Sequence, residues 1–281
     1  MKGIARVLAE SGAVLTAGML SGIYLYARLL PAGGYLQRDS VSHSDSLWRR
    51  TATRTRLAST PLARHVMRFR MRDGSAIRAR LVDGGALLSV YADREYDLPG
   101  IDWAAARTIV DIGAHVGSFT IWAAFRARHA RFIAVEPNPE TFELLTQNIR
   151  ENGLDDRVLA VNAAVGPKPG IGSLEFTDHP LGTRLAPEMG TGRKVSVQTV
   201  SGLLGTAGIG DIDVLKIDCE GSEYSVFEAM SSDSLRSIKA LACEYHPEPG
   251  HQVTELDSLL TSAGFKVLRP NASLGVLWAT R

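Results

Sequence analysis

From Arg107 onward the chain alternates short, continuous apolar runs with helical segments, and this alternation restricts the fold more than any other feature. The runs at 108–112, 131–135, 157–162, 212–217 and 238–244 read as strands buried on both faces, and 117–128, 139–152, 222–230 and 252–263 read as the helices between and after them. Such a succession builds a parallel sheet covered by helices on both sides. The last two runs, 265–268 and 274–279, are joined by a segment too short for a helical crossover, so they are expected to pair antiparallel. The expectation for 101–281 is therefore an α/β domain with a mainly parallel sheet and an antiparallel last strand.

The preceding residues differ in character. The 281-residue chain has a net charge of only +1, which gives no whole-molecule argument for a polyanionic partner, yet its charge is segregated. Residues 38–80 hold eleven Arg, no Lys and three Asp, a local +8, whereas 81–281 carry −9. Residues 11–27 form 17 uncharged positions between Glu10 and Arg28, at the short edge of what spans a bilayer. They read as a helix packed on the body or at a dimer interface, with membrane association as the alternative. The expected organisation is a helical, Arg-rich segment over 1–65, a small β-hairpin subdomain over 66–100 with turns at Asp73-Gly74 and Asp83-Gly84-Gly85, and the main domain. Two cysteines, Cys219 and Cys243, fit neither a metal-ligand nor a dense disulfide pattern and suggest reduced thiols in the cytoplasm.

The segment T-I-V-D-I-G-A-H-V-G-S-F-T at 108–120 carries the most chemistry. A buried strand delivers Asp111, and Gly113 and Gly117 bracket a tight turn into a helix. A nicotinamide dinucleotide fingerprint needs glycine where this chain has His115 and Ser118, so a pyrophosphate ligand is disfavoured. Asp111 suits a ligand with a positive charge, and Glu136, ending the second strand in V-E-P-N, is placed for the hydroxyls of a ribose. Together they describe S-adenosylmethionine. Its expected contacts are Asp111, the turn residues Gly113, Ala114, His115, Gly117 and Ser118, then Glu136 and Asn138, with Asn162 and Ala163 beside the adenine and Asp218 at the next strand end.

The blocks D-I-G-A-H-V-G-S-F-T, V-E-P-N-P, N-A-A-V-G, L-K-I-D-C-E-G-S-E at 215–223 and C-E-Y-H-P at 243–247 resemble the successive motifs of the FkbM-like S-adenosylmethionine-dependent methyltransferases. That resemblance spans about 107–247 and implies the class I methyltransferase (Rossmann-like) fold and methylation of hydroxyl oxygens in natural products or glycans. Two departures stand out: His115 replaces the Asn usual in the glycine turn, and T-V-S-G-L-L at 199–204 lacks the acidic pair usual in T-L-D-D-L.

Lys216, Asp218, Glu220 and Glu223 lie in L-K-I-D-C-E-G-S-E, with Asp218 at the mouth of the fourth strand, Glu244 and His246 sit at the mouth of the fifth, and the expected catalytic residues are His246, Asp218, Glu244 and Lys216. Asp218, Glu244 and His246 either bind and deprotonate the acceptor hydroxyl or hold Mg²⁺ or Mn²⁺, with an internal salt bridge to Lys216 as the alternative. His246 is the expected general base, since neutral imidazole is available near pH 7. The Gly- and Pro-rich insert at 166–194 is expected to cover the acceptor. The expected partner is a small-molecule hydroxyl compound, with a second copy of the chain as a further partner. A nucleic-acid methyltransferase is the competing enzymatic reading, opposed by the acidic body, and a non-catalytic scaffold is the third.

Overall fold

The computed structural model describes residues 64–281 apart from 177–182, 187–191, 247 and 272–274, so the expectations for residues 11–27 and for the Arg-rich 46–58 lie outside the described residues. In chain order, the described part opens with strands β1 (Val66–Arg70) and β2 (Ala76–Arg80), helix α1 (Gly84–Tyr91) and strand β3 (Thr108–Ile112). Helix α2 (Ser118–Ala124), β4 (Arg131–Val135), α3 (Pro139–Glu151) and β5 (Val158–Val161) follow. Four strands then belong to the insert: β6 (Ala164–Val165), β7 (Gly170–Phe176), β8 (Thr183–Ala186) and β9 (Arg193–Gln198). The chain continues through α4 (Val200–Ala207), β10 (Ile212–Ile217), α5 (Glu223–Ala229), α6 (Ser232–Arg236), β11 (Ile238–Glu244), α7 (Val253–Ser262), β12 (Lys266–Asn271) and β13 (Val276–Thr280).

Seven strands form the central sheet in the order β12-β13-β11-β10-β3-β4-β5. The pairs β3–β4, β4–β5, β3–β10 and β10–β11 are parallel, and β13 is antiparallel to both neighbours, as the short connection required. Because successive side chains point to opposite faces, Ile109, Phe132 and Val214 enter one core with α1, α2 and α3. Val110, Ile133, Leu215 and Leu241 enter the other with α4, α5 and α7. The first strand of the domain lies mid-sheet, so the chain reverses its order beside β3, and ligands of open α/β sheets bind at the carboxyl ends of strands at such a point. The insert is more regular than its Gly and Pro content suggests: β6, β9, β7 and β8 form a second sheet with its own small core of Ala164, Leu174, Val195 and Val197. Among the described residues no helix is long and apolar enough to cross a membrane.

One turn reading fails. A hairpin forms at Asp73-Gly74, but Asp83-Gly84-Gly85 leads into α1. The Asp83 carboxylate accepts the Arg80 backbone N–H at 2.7 Å and the Arg80 guanidinium at 2.9 Å, and α1 buries Leu87 and Val90, so capping and burial override the turn propensity of the two glycines. The hairpin also shares the main core through Ile77 and Ala79. Its β2 edge is met by side-chain amides of α3 in place of a third strand. Asn148 Oδ1 accepts from Arg78 N at 2.6 Å while its Nδ2 donates to Arg78 O and Val116 O, and Asn152 exchanges two bonds with Ala76. Asn148 is fully buried, so Asn148→Ala strands three backbone groups. We expect a loss of about 2–3 kcal/mol in urea unfolding, read as a lower midpoint at unchanged slope.

Candidate active site

The turn after β3 is set by close backbone approach. Gly113 has φ 73, and a Cβ there would lie 1.8 Å from the carbonyl oxygen of Asp218, so no side chain fits between the ends of β3 and β10. Gly117, with φ 87, starts α2, while His115 holds a left-handed φ of 53 without being glycine. Glu136, buried at the end of β4, accepts the His115 N–H at 2.9 Å and the Asn138 N–H at 2.8 Å on separate oxygens. Burial pushes its carboxyl above the usual range against the pull of His115 and the Asn138 amide. Here the chain encloses a cleft of about 400 Å³. Gly113, Ala114, His115, Ser118, Glu136 and Asn138 line one part of it, together with Ala163, and Lys216, Asp218 and Glu244 line another.

The remaining predicted contacts do different work. Asn162 donates from Nδ2 to the backbone oxygen of Glu136 at 2.8 Å and so fixes the strand end from behind. Gly117 shapes the turn, where a Cβ would meet Leu145 at 2.7 Å. Asp111 does not receive a ligand's positive charge. It is fully buried and lies in register with Lys216 on β10, whose Nζ is 3.2 Å from Oδ1, while Thr120 donates to Oδ2 at 2.6 Å. Lys216 Nζ also donates to Gly113 O at 2.6 Å, so the internal salt bridge weighed from the sequence forms, with Asp111 as its nearer carboxylate and Asp218 at 3.6 Å. Burial alone would lower the lysine's pKa, but Asp111 and Asp218 raise it and keep it charged. Removing one partner of a buried pair leaves the other charge uncompensated, so Lys216→Met should cost about 3 kcal/mol or more in chemical denaturation.

On the acceptor side the sequence missed Tyr96. Its hydroxyl donates to Glu244 Oε2 at 2.9 Å and lies 3.4 Å from Asp218 Oδ2, and its ring packs edge-on against Phe119. Trp278 on β13 donates to the Glu95 carbonyl at 2.8 Å and anchors this stretch. No motif marks a tyrosine in a loop; only the fold brings it to strand ends more than a hundred residues away. Burial, followed by the charges of Asp218 and Glu95, raises the Glu244 carboxyl to about 8.

His246 departs from its expected role. It lies outside the lining of the cleft, with Nδ1 3.1 Å from Glu223 Oε1 and Nε2 3.5 Å from Glu220 Oε2. Burial lowers its pKa, but Glu223 and the neighbouring carboxylates raise it to about 10, so at neutral pH the ring is a cation and holds no free lone pair for a proton. Glu223 is fully buried and accepts the Cys219 and Gly221 N–H groups at 2.9 Å each, which clamps the loop after β10. The ligand set read from the sequence, Asp218, Glu244 and His246, is not the group that the fold gathers. Glu244 is engaged by Tyr96, and His246 gathers instead with Asp218 and Glu223, all three offering ligand atoms within 4.8 Å of one another.

A mid-sheet glycine turn, an acid at the next strand end and an antiparallel strand inserted at the far side define a class I methyltransferase architecture. Residues 111–267 match the methyltransferase FkbM domain, and the chain belongs to that family. Membership implies S-adenosylmethionine as methyl donor, and the cleft fits it: Glu136 faces the space and the Gly113 turn leaves backbone bare beside it. Among curated relatives, methyltransferase sdnD of Sordaria araneosa is 24% identical over 215 residues, 65% of this chain and 82% of the relative. Hexuronic acid methyltransferase AglP of Haloferax volcanii is 27% identical over 157 residues, covering 54% and 61%. The 31-O-demethyl-FK506 methyltransferase FkbM of Streptomyces tacrolimicus is 25% identical over 211 residues, covering 64% and 80%. Among solved structures, methyltransferase FkbM from Methylobacillus flagellatus KT aligns with a TM-score of 0.45 at 14% identity, over 70% of this chain and 53% of that one, so the chain spans about half its length.

Proposed function

We propose that the chain transfers a methyl group from S-adenosylmethionine to a hydroxyl oxygen of a small molecule, natural product or glycan. The observation that carries this reading is the carboxylate pair Asp218 and Glu244, joined by Tyr96, in the same cleft as Glu136. S-adenosylmethionine, when bound, supplies an electrophilic methyl on sulfur. Glu136 holds the ribose hydroxyls, Ala163 lies against the adenine, and Leu174 and Leu185 of the insert give the cleft an apolar wall. Asp218 orients the acceptor hydroxyl and Glu244 takes its proton as the oxygen–carbon bond would form and the carbon–sulfur bond would break, with S-adenosylhomocysteine as the leaving group. A carboxyl held near 8 is matched to a neutral solution as a base, which is worth about 10²- to 10⁴-fold. The names of two relatives support the reading: a 31-O-demethyl substrate points to an oxygen acceptor, and a hexuronic acid to a sugar as its bearer.

The acidic body and the D-C-E-G block after β10 argue for a small acceptor over nucleic acid. Both cysteines are free thiols, which supports a cytoplasmic enzyme. Residues 11–27 lie outside the described residues, and sedimentation of the full chain with vesicles that resists carbonate would favour a membrane anchor over the packing or pairing expected from their sequence. Mg²⁺ and Mn²⁺ take no part, so chelator should leave turnover unchanged.

Three measurements test the reaction. S-adenosylhomocysteine should bind in calorimetry, and Glu136→Gln should weaken it by about tenfold or more, which corresponds to about 1.4 kcal/mol. Unchanged affinity in that variant overturns the ribose assignment. Because only the ionised carboxylate accepts a proton, turnover should rise with pH through about 8 and level off above it. Tyr96 donates to Glu244 and thereby lowers its pKa, so Tyr96→Phe should move that inflection to higher pH. A flat profile in the parent enzyme removes Glu244 as the base.

A further inference from the structure

We propose that His115 is a cofactor-binding residue whose buried Nδ1 forms a hydrogen bond with a ribose hydroxyl while Glu136 accepts from the same diol, and that Asp83 holds the ring in place for it. This rests on the S-adenosylmethionine reading of the cleft and gives a turn residue expected to contact the cofactor a specific atom, a specific partner on the ligand and a residue that orients it.

Three observations carry it. His115 occupies a left-handed backbone position, which histidine enters more readily than most side chains, in the turn that lines the cleft. Its Nε2 lies 3.4 Å from Oδ1 of Asp83, a fully buried carboxylate that is itself held by the Arg80 backbone N–H and guanidinium. Arg80 in turn donates to Thr141 on α3, so the assembly that orients the ring is tied to the domain and not left to a mobile chain. Finally, His115 Nδ1 is buried, has no hydrogen-bond partner, and belongs to a residue lining the same cleft as Glu136. A buried ring nitrogen without a hydrogen-bond partner is costly, and a hydroxyl between His115 and Glu136 removes that cost. A diol suits the pair because each hydroxyl both donates and accepts.

The charged and titratable groups facing the ring are Asp83 before α1, Arg80 on β2, Glu136 after β4 and Glu220 after β10. Burial opposes charge on the imidazole, but Asp83 and then Glu136 outweigh burial and the repulsion of Arg80, so its pKa is raised above the ordinary value. Asp83 is correspondingly held down, to about 2, against its own burial. The sign follows: the charged donor is present at low pH and is lost as pH rises through the raised value, and cofactor affinity falls with it.

The test is S-adenosylhomocysteine calorimetry across pH 6 to 10, with imidazole ¹⁵N spectra of the full chain. The parent should bind more weakly, by about tenfold, above the His115 titration than below it, and binding should raise the imidazole pKa and move the Nδ1 resonance. His115→Gln should bind with a flat pH dependence, and Asp83→Asn should shift the affinity loss to lower pH. 5′-Methylthioadenosine, which keeps the ribose but lacks the amino-acid carboxylate, should show the same slope. A slope lost with that ligand overturns the ribose assignment. Parent binding that is pH-independent, with an Nδ1 resonance unmoved by ligand, overturns the role of His115 while leaving the cofactor reading intact. Absence of any binding by the parent overturns both.

Discussion

The ion pair between Asp111 on β3 and Lys216 on β10 holds the rest of the site together. These strands meet where the sheet reverses its order, and the two side chains are neighbours in register, so one contact joins the cofactor half of the domain to the acceptor half. The lysine also binds the carbonyls of Ile112 and Gly113 and thereby holds the glycine turn against β10. Two charges buried together repay their desolvation only when further hydrogen bonds satisfy them, and Thr120 and the turn carbonyls supply these. The consequence is a rigid seam from which Glu136 and Asp218 take their places.

A second chain of charges runs outside the sheet. Arg80, Asp83 and His115 join the N-terminal hairpin, the start of α1 and the glycine turn, while Asn148 and Asn152 fasten the hairpin to α3. Residues before the main domain thus form a wall of the cleft, with α1 contributing Leu88 and Ser89.

The strands were legible because buried parallel strands are continuous apolar runs: 108–112, 131–135, 212–217 and 238–244 match their structural limits. Helix ends were less so. The helix read from 117 to 128 stops at Ala124, since turns closing on Ala123 and Ala127 replace its last residues. In the site, Glu136 and the glycine turn were readable because backbone approach and strand-end acidity leave local marks. Asp111 and His246 were misread for one reason: a charged residue in a motif looks available to a ligand until its partner is known, and Lys216 and Glu223 are partners that only tertiary structure supplies. Tyr96 and Asp83 carried no local mark at all.

The antiparallel strand β13 has a consequence for the order in which the enzyme can be made. It follows β12 in the chain, yet it lies inside the sheet between β11 and β12, where Val276 pairs with Glu244 and Trp278 holds the segment bearing Tyr96. Until residues 276–280 have left the ribosome, β11 is an open edge, the kind that pairs with other chains. The cofactor half, built from β3 to β5, is complete long before. A nascent chain therefore carries the glycine turn and Glu136 before the stretch bearing Tyr96 has its anchor, and the cleft is complete only once β13 has joined the sheet.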